Sequence, residues 1–215
     1  YTYKFVDNEY YGAPFEINEG ISYEGVKDYM QSICSHSPRK YQVEGVYDAL
    51  KHNRKLLISP TASGKSLMIY SLVRYYVDKG GKILLVVPTT SLVEQMYKDF
   101  EDYGWTPDRH VQRKYYGYEI DESKPVVIST WQSLATFDKK YFEQFDCVVG
   151  DEAHLYKSKE LQKIMNACVN AKYRIGTTGT LDDSKVHKLV LEGLFGRVHN
   201  VTTTRELIDK KQLAD

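Results

Sequence analysis

Two short stretches of the 215-residue chain carry side chains whose types and spacing suit phosphate chemistry. The first, SPTASGKS at residues 59–66, ends in Gly64-Lys65-Ser66. Backbone N–H groups can converge on a phosphate at a helix N-terminus only where the chain comes close, and Gly64 allows that approach. Lys65 offers a point charge for outer phosphates, and Ser66 a hydroxyl for Mg²⁺. Ser59 stands where the consensus G-x-x-x-x-G-K-[ST] begins with glycine. Ser59 and Ala62 both restrict the backbone more than glycine would. The second stretch, FDCVVGDEAH at 145–154, closes an apolar run with Asp151-Glu152. Paired acids there can divide the work, one holding Mg²⁺ and the other orienting or deprotonating an attacking water. Asp151 suits the first task and Glu152 the second. Taken singly, each stretch has a plainer reading, since Gly-Lys-Ser can start an ordinary helix and Asp-Glu can cap one. Their joint presence in one chain points to nucleotide binding.

For these residues to meet, each stretch must leave a strand at the same edge of one sheet. KLLISP (55–60) reads as a buried strand, followed by a helix through SLMIYSLVRYYVDK that the Gly pair at 80–81 stops. KILLVVP (82–88) is the next strand and SLVEQMYKDFEDY (91–103) the next helix. PVVIST (125–130), CVVGD (147–151) and YRIGTT (173–178) are further strands, with KSKELQKIMNACVN (157–170) a helix between the last two. Near-continuous apolar strands separated by helices predict an α/β domain, with a mostly parallel sheet and helices on both faces. Such a sheet binds ligands beyond the carboxyl ends of its strands. Residues 1–35 lack this rhythm, being rich in Tyr, Glu and Asn with one amphipathic segment at 23–33. They are expected to be the tail of an upstream domain or an accessory layer on a main domain spanning 36–215. The chain opens with Tyr1 rather than Met, which is expected of a piece of something longer.

Lys+Arg and Asp+Glu both number 29, which excludes a diffuse basic coat but leaves room for a local basic groove. Cys34, Cys147 and Cys168 are odd in number and far apart. They suit neither a disulfide scaffold nor a zinc site, and fit a reducing compartment. No apolar run approaches the roughly 18 residues of a membrane span, and no signal-peptide pattern opens the chain. No membrane partner is expected, and the expected location is cytoplasmic, in the host cytoplasm if the source is viral.

From residue 38 onward, the order of motifs resembles the first RecA-like motor domain of superfamily 2 DExH-type helicases and translocases. PRKYQ (38–42) is similar to the element that reads adenine, which implies base contacts from Arg39 and a bidentate pairing by Gln42. SPTASGKS is similar to the family's phosphate loop, which implies Thr61, Ala62, Ser63, Gly64, Lys65 and Ser66 as nucleotide contacts. That loop commonly reads P-T-G-S-G-K-T, so Ser59 is no departure, whereas Ala62 replaces an inner glycine and loosens the expected grip. VPTTSLVEQ (87–95) and STWQSL (129–134) resemble segments that touch the nucleic-acid backbone, implying contacts from Pro88, Thr89, Thr90, Thr130 and Gln132. DEAH (151–154) resembles the second Walker element. His154 then links the phosphate site to TTGTL (177–181), where Thr178, Gly179 and Thr180 couple nucleotide state to strand movement. KYQ, VPTT, STWQSL and GLFGRV…VTT together most resemble phage recombination helicases of the UvsW kind. More distantly they resemble the motor subunits of type I and type III restriction enzymes.

The resemblance implies ATP and Mg²⁺ as cofactors, with Ser66 and Asp151 toward the metal and Lys65, Asp151, Glu152 and His154 as catalytic residues. It implies DNA rather than RNA as partner, and ATP-dependent helicase or branch-migration activity in recombination or repair. No Q-x-x-G-R-x-x-R-like stretch supplies an arginine finger, and the chain ends at VTTTRELIDKKQLAD, where the family begins its second motor domain. That C-terminal RecA-like domain is expected to lie outside this chain, leaving these residues alone nearly inactive. Two other readings remain: the motor subunit of a restriction enzyme, and a non-catalytic nucleotide- or DNA-binding regulatory module. Arg109, Arg113 and Lys114 gather around Tyr115 and Tyr116, either to face nucleic acid or as a solvated loop. Trp131 is expected in the core rather than stacked on a base.

Overall fold

The computed structural model describes residues 17–60, 63–115, 121, 123–181 and 185–209. Thr61, Ala62, Tyr116 and the first sixteen residues of the N-terminal segment lie outside the described residues. The chain runs α1 (Tyr23–Ile33), α2 (Lys40–His52), β1 (Arg54–Ile58), α3 (Lys65–Asp78), β2 (Ile83–Val87) and α4 (Thr90–Asp102). It continues α5 (Pro107–His110), β3 (Val111–Lys114), β4 (Val126–Thr130), α6 (Trp131–Leu134), α7 (Lys139–Phe142) and β5 (Cys147–Gly150). A 3-10 turn (Ala153–Lys157) precedes α8 (Lys159–Ala167), β6 (Tyr173–Thr178), α9 (Lys185–Phe195), β7 (Val198–Asn200) and α10 (Thr204–Asp209).

The strands form one seven-stranded sheet in the order β3-β4-β2-β5-β6-β1-β7, and every pairing is parallel. Parallel neighbours need long crossovers, which the helices supply. The five strands expected from apolar runs are all present. The two additional strands, β3 and β7, have four and three residues and occupy the two sheet edges. Both are short and partly polar, β3 being buried only at Val111 and Gln112 and β7 at no residue, so they carry no buried-strand signature.

Alternation along the strands feeds two cores. Leu57, Ile83, Leu85, Ile128, Val149 and Ile175 pack with α1 to α4 on one face. Leu56, Leu84, Val86, Val127 and Val148 pack with residues of α7, α8 and α9 on the other. Both faces being apolar explains why the strands read as unbroken hydrophobic runs. α1 is held by Val26 and Met30, both in the first core, and by the Tyr70 hydroxyl donating to the Ile33 carbonyl at 2.7 Å.

Helix starts follow side-chain caps: Ser22, Thr89, Thr130, Asp138 and Ser158 each accept a backbone N–H of the helix that follows. At Gly196, φ is +104° and a Cβ would sit 2.6 Å from the Arg54 carbonyl oxygen. Only glycine fits there, and it lets the chain turn from α9 into β7 beside β1. Among the described residues, no helix is long and apolar enough to cross a membrane.

Candidate functional site

β5, β6 and β1 are adjacent, and their carboxyl ends bring three distant segments together. Ile58 is in register with Thr178 and Gly150 with Gly176, so the 59–66 loop, Asp151-Glu152 and the Thr-rich turn emerge side by side. The Ser59 N–H donates to the Thr178 carbonyl at 2.9 Å.

The described part of the loop is fastened from below and from the side. The Ser59 and Ser63 hydroxyls bond each other, and Ser63 also donates to the Pro60 carbonyl. The residue that replaces the consensus glycine thus braces the loop internally. α2 supplies the lateral hold. Tyr41 Oη donates to the Ser63 carbonyl at 2.9 Å, and Gln42 Nε2 donates to the Ser63 and Gly64 carbonyls at 3.0 and 3.3 Å. Gln42 Oε1 accepts the Arg39 N–H at 2.8 Å. Both ends of the Gln42 amide are therefore engaged within the protein, and pairing with a base edge requires these bonds to be exchanged. Gly64 sits at φ +78°, and a Cβ there would lie 2.5 Å from Gln42 Nε2. Left-handed geometry and the glutamine contact both demand glycine. α3 begins immediately after it; the Leu67 N–H turns back to the Gly64 carbonyl at 3.2 Å, and the Lys65 and Ser66 N–H groups ahead of it lie where a helix offers no intrahelical acceptor.

The first turn of α3 meets the end of β5. Lys65 is 8 % exposed; its Nζ donates to Glu152 Oε1 at 2.6 Å and to Asp151 Oδ1 at 3.4 Å. Thr177 Oγ1 donates to the same Asp151 oxygen at 2.8 Å. The Ser66 hydroxyl is 2.7 Å from Tyr103 Oη. Burial pushes the Tyr103 phenol up, partly offset by this bond. Glu152 adopts φ +50°, one of two non-glycine residues with positive φ among those described. Such a conformation costs on the order of 1–3 kcal/mol and persists only where surroundings impose it; here Lys65 and His154 do so. His154 Nδ1 lies 3.3 Å from Glu152 Oε2 and 3.0 Å from Thr178 Oγ1. Thr178 donates its only hydroxyl proton to the Thr180 carbonyl at 2.8 Å. It must accept from His154, which places the imidazole proton on Nδ1.

The donor set fits a magnesium nucleotide: a buried ammonium, a helix N-terminus, a hydroxyl and a carboxylate converge where buried Asp151 and partly buried Glu152 share one cation. Lys65, Ser66, Asp151, Glu152, His154, Thr178, Gly179 and Thr180 all lie at this edge. Tyr41, Tyr103 and Thr177 join them; Tyr41 and Thr177 fall inside PRKYQ and TTGTL without a role of their own, and nothing in the local sequence marks Tyr103.

The second group of residues follows β2 and β4. Val87 is in register with Thr130, so Pro88, Thr89 and Thr90 lie beside Thr130 and Gln132. Thr89, Thr90 and Gln132 are exposed. Thr130 is buried, and its Oγ1 bonds the Ser133 N–H and hydroxyl as the cap of α6. Trp131 packs against the second core. Arg113 and Lys114 are strand residues rather than loop residues. Arg113 pairs with Glu94 at 2.7 Å and stacks over the Tyr97 ring, and Lys114 lies over Phe137.

A phosphate-binding type of loop and its facing acids, set at the carboxyl edge of an all-parallel sheet, define a RecA-like domain. Residues 35–183 match the family model described as Type III restriction enzyme, res subunit. The chain belongs to this helicase family as a first RecA-like domain. It is 33% identical over 227 residues to the ATP-dependent DNA helicase uvsW of Enterobacteria phage T4, covering 99% of this chain and 45% of that protein. It is 31% identical over 157 residues to the DNA 3'-5' translocase XPB2 of Sulfurisphaera tokodaii, covering 70% of this chain and 33% of that protein. The crystal structure of the UvsW helicase from Bacteriophage T4 superposes with a TM-score of 0.78 at 31% identity, over 86% of this chain and 70% of that one. The chain thus spans less than half the length of the curated relatives it matches.

Proposed function

We propose that this chain is the ATP-binding first motor domain of an ATP-dependent DNA helicase or branch-migration translocase acting in recombination or repair, in the cytoplasm of the cell or viral host. The observation that carries the reading is the contact of Lys65 with Glu152 and Asp151, which joins a phosphate-type loop to paired acids. Gly64, Lys65 and Ser66 would hold the phosphates of ATP, with Ser66 and Asp151 toward Mg²⁺. Thr61, Ala62 and Ser63 would complete the phosphate contacts, and Arg39 and Gln42 would contact the base. When bound, ATP·Mg²⁺ supplies the transferable phosphoryl group and the divalent charge that neutralises it. Lys65 would then exchange its carboxylate partners for phosphate oxygens, freeing Glu152 to hold a water and accept its proton. His154, bonded to Glu152 and Thr178, would tie that change to the Thr178-Gly179-Thr180 turn. Pro88, Thr89, Thr90, Thr130 and Gln132 would grip the DNA backbone. We further infer that residues 23–33 are an accessory helix, and that a second RecA-like domain supplies the arginine finger, worth roughly 10³–10⁵ in rate in related systems.

The family description supports a second reading, the motor subunit of a restriction enzyme. The near-complete coverage by phage UvsW favours the first. The test is steady-state ATP hydrolysis by the protein carrying both motor domains, with duplex DNA, single-stranded DNA, branched DNA or RNA added. Strongest stimulation by branched DNA supports the helicase reading, and stimulation by plain duplex alone favours the restriction motor. Absence of stimulation by any nucleic acid would sink both.

A further inference from the structure

Each candidate magnesium ligand of this site bonds a side chain that lies outside both the phosphate loop and the paired acids. A serine hydroxyl ligates a metal through a lone pair, so its single proton must be donated elsewhere. Tyr103 Oη, 2.7 Å from Ser66 Oγ, stands ready to receive it. Tyr103 is itself anchored, because its carbonyl accepts the Ser35 N–H at 3.0 Å and its ring packs on Tyr70. On the opposite side, Thr177 is fully buried and donates to Asp151 Oδ1 at 2.8 Å. Lys65 approaches that same oxygen at 3.4 Å. Once Lys65 turns to phosphate, the Thr177 hydroxyl is the side-chain donor that stays on Oδ1 and restrains the carboxylate. Thr177 belongs to β6 and Tyr103 to the end of α4, so the two ligands are oriented by separate, rigid elements.

We propose that Tyr103 and Thr177 are positioning residues that orient Ser66 and Asp151 and thereby set the magnesium requirement of nucleotide binding. The inference rests on the nucleotide-site reading above. The bonds of both residues run to the candidate metal ligands, so their loss should weaken the metal-dependent part of binding and spare the metal-free part. A purely structural role would weaken both together.

The experiment titrates a fluorescent ADP analogue onto the protein, first with chelator and then at rising Mg²⁺. Thr177→Val is isosteric, and Tyr103→Phe removes only the hydroxyl. Both should bind within about twofold of the parent in chelator. Both should need roughly tenfold more Mg²⁺ for half of the metal-dependent gain, the scale of one lost hydrogen bond to a charged or metal-facing group. Thr177→Ser should restore the parental midpoint. Unchanged Mg²⁺ midpoints in both variants, with a parent that binds normally, would overturn this proposal alone. Equal losses with and without Mg²⁺ would do the same. A parent that binds no ADP analogue at all would overturn this proposal together with the reading beneath it.

Discussion

Lys65 Nζ donates to Glu152 Oε1 at 2.6 Å, a bonded pair 87 residues apart in the chain. It joins the start of α3 to the end of β5, so the cation that would meet phosphate first compensates the acid that would meet water. Removing it leaves two carboxylates facing each other at a buried edge. Lys65→Ala is expected to cost about 3 kcal/mol, the lower end for breaking a buried pair. That corresponds to a fall in melting temperature of roughly 6–12 °C for a chain of this size. Differential scanning calorimetry of the two proteins measures it, and an unchanged melting temperature would contradict the pairing.

Gln42 is 4 % exposed and serves the Arg39 N–H and the Ser63 and Gly64 carbonyls at once. Gln42→Ala removes these bonds, but Tyr41 Oη still serves the Ser63 carbonyl and the Leu67 N–H the Gly64 carbonyl, so the cost is that of lost hydrogen bonds, about 0.5–1.5 kcal/mol. Chemical denaturation should show a loss in that range. Binding of a nucleotide lacking its base should weaken along with ATP, because the glutamine holds the loop. If only binding of the complete nucleotide suffers, Gln42 acts on the base alone.

Glu152→Gln keeps an oxygen for Lys65 but cannot accept a proton. Nucleotide binding should stay within a few-fold of the parent, while hydrolysis by the protein with both motor domains drops by roughly 10²–10⁴, the usual contribution of a general base. Parallel titration and steady-state assays separate the two effects. Equal hydrolysis by parent and variant would remove Glu152 from the chemistry.

Away from the site, Asp48 ties α2 to the β1–β7 edge through Lys55 at 3.0 Å and His199 at 3.1 Å, with His52 at 3.1 Å. Burial favours its neutral form, but hydrogen bonds from His199 and Lys55 outweigh this and hold the carboxyl at about 2 instead of 3.8. A carboxyl lowered on folding adds stability above its unfolded value, and that stability disappears as pH falls through the folded one. Denaturation midpoints should therefore drop between about pH 4 and about pH 2. Asp48→Asn should be less stable at neutral pH and show a flatter curve in that window. Parallel curves for the two proteins would contradict the assignment.

The strands buried on both faces were legible because each is a continuous apolar run. β3 was not, since Arg113 and Lys114 read as a basic cluster until an edge position beside Glu94, Tyr97 and Phe137 accounts for them. The site divides the same way. Lys65, Asp151 and Glu152 announce themselves by type and neighbours, as do the Thr-rich turn and His154. The contacts of Tyr41, Tyr103 and Thr177 do not, even where the residue sits inside PRKYQ or TTGTL, because their partners stand 22, 37 and 26 residues away and only the fold brings them together. Ser59 stands outside the part of the loop that the family's pattern fixes, and its bond to Ser63 needed the folded loop to be seen.

The central claim is that Lys65, Ser66, Asp151 and Glu152 form a magnesium-nucleotide site. Calorimetric titration of this chain with a non-hydrolysable ATP analogue and Mg²⁺ tests it most directly, with Lys65→Ala beside the parent. The parent should show weak, saturable, single-site binding, strengthened by Mg²⁺ and abolished in Lys65→Ala. Equal binding by the two proteins, or none by the parent at millimolar analogue, would contradict it.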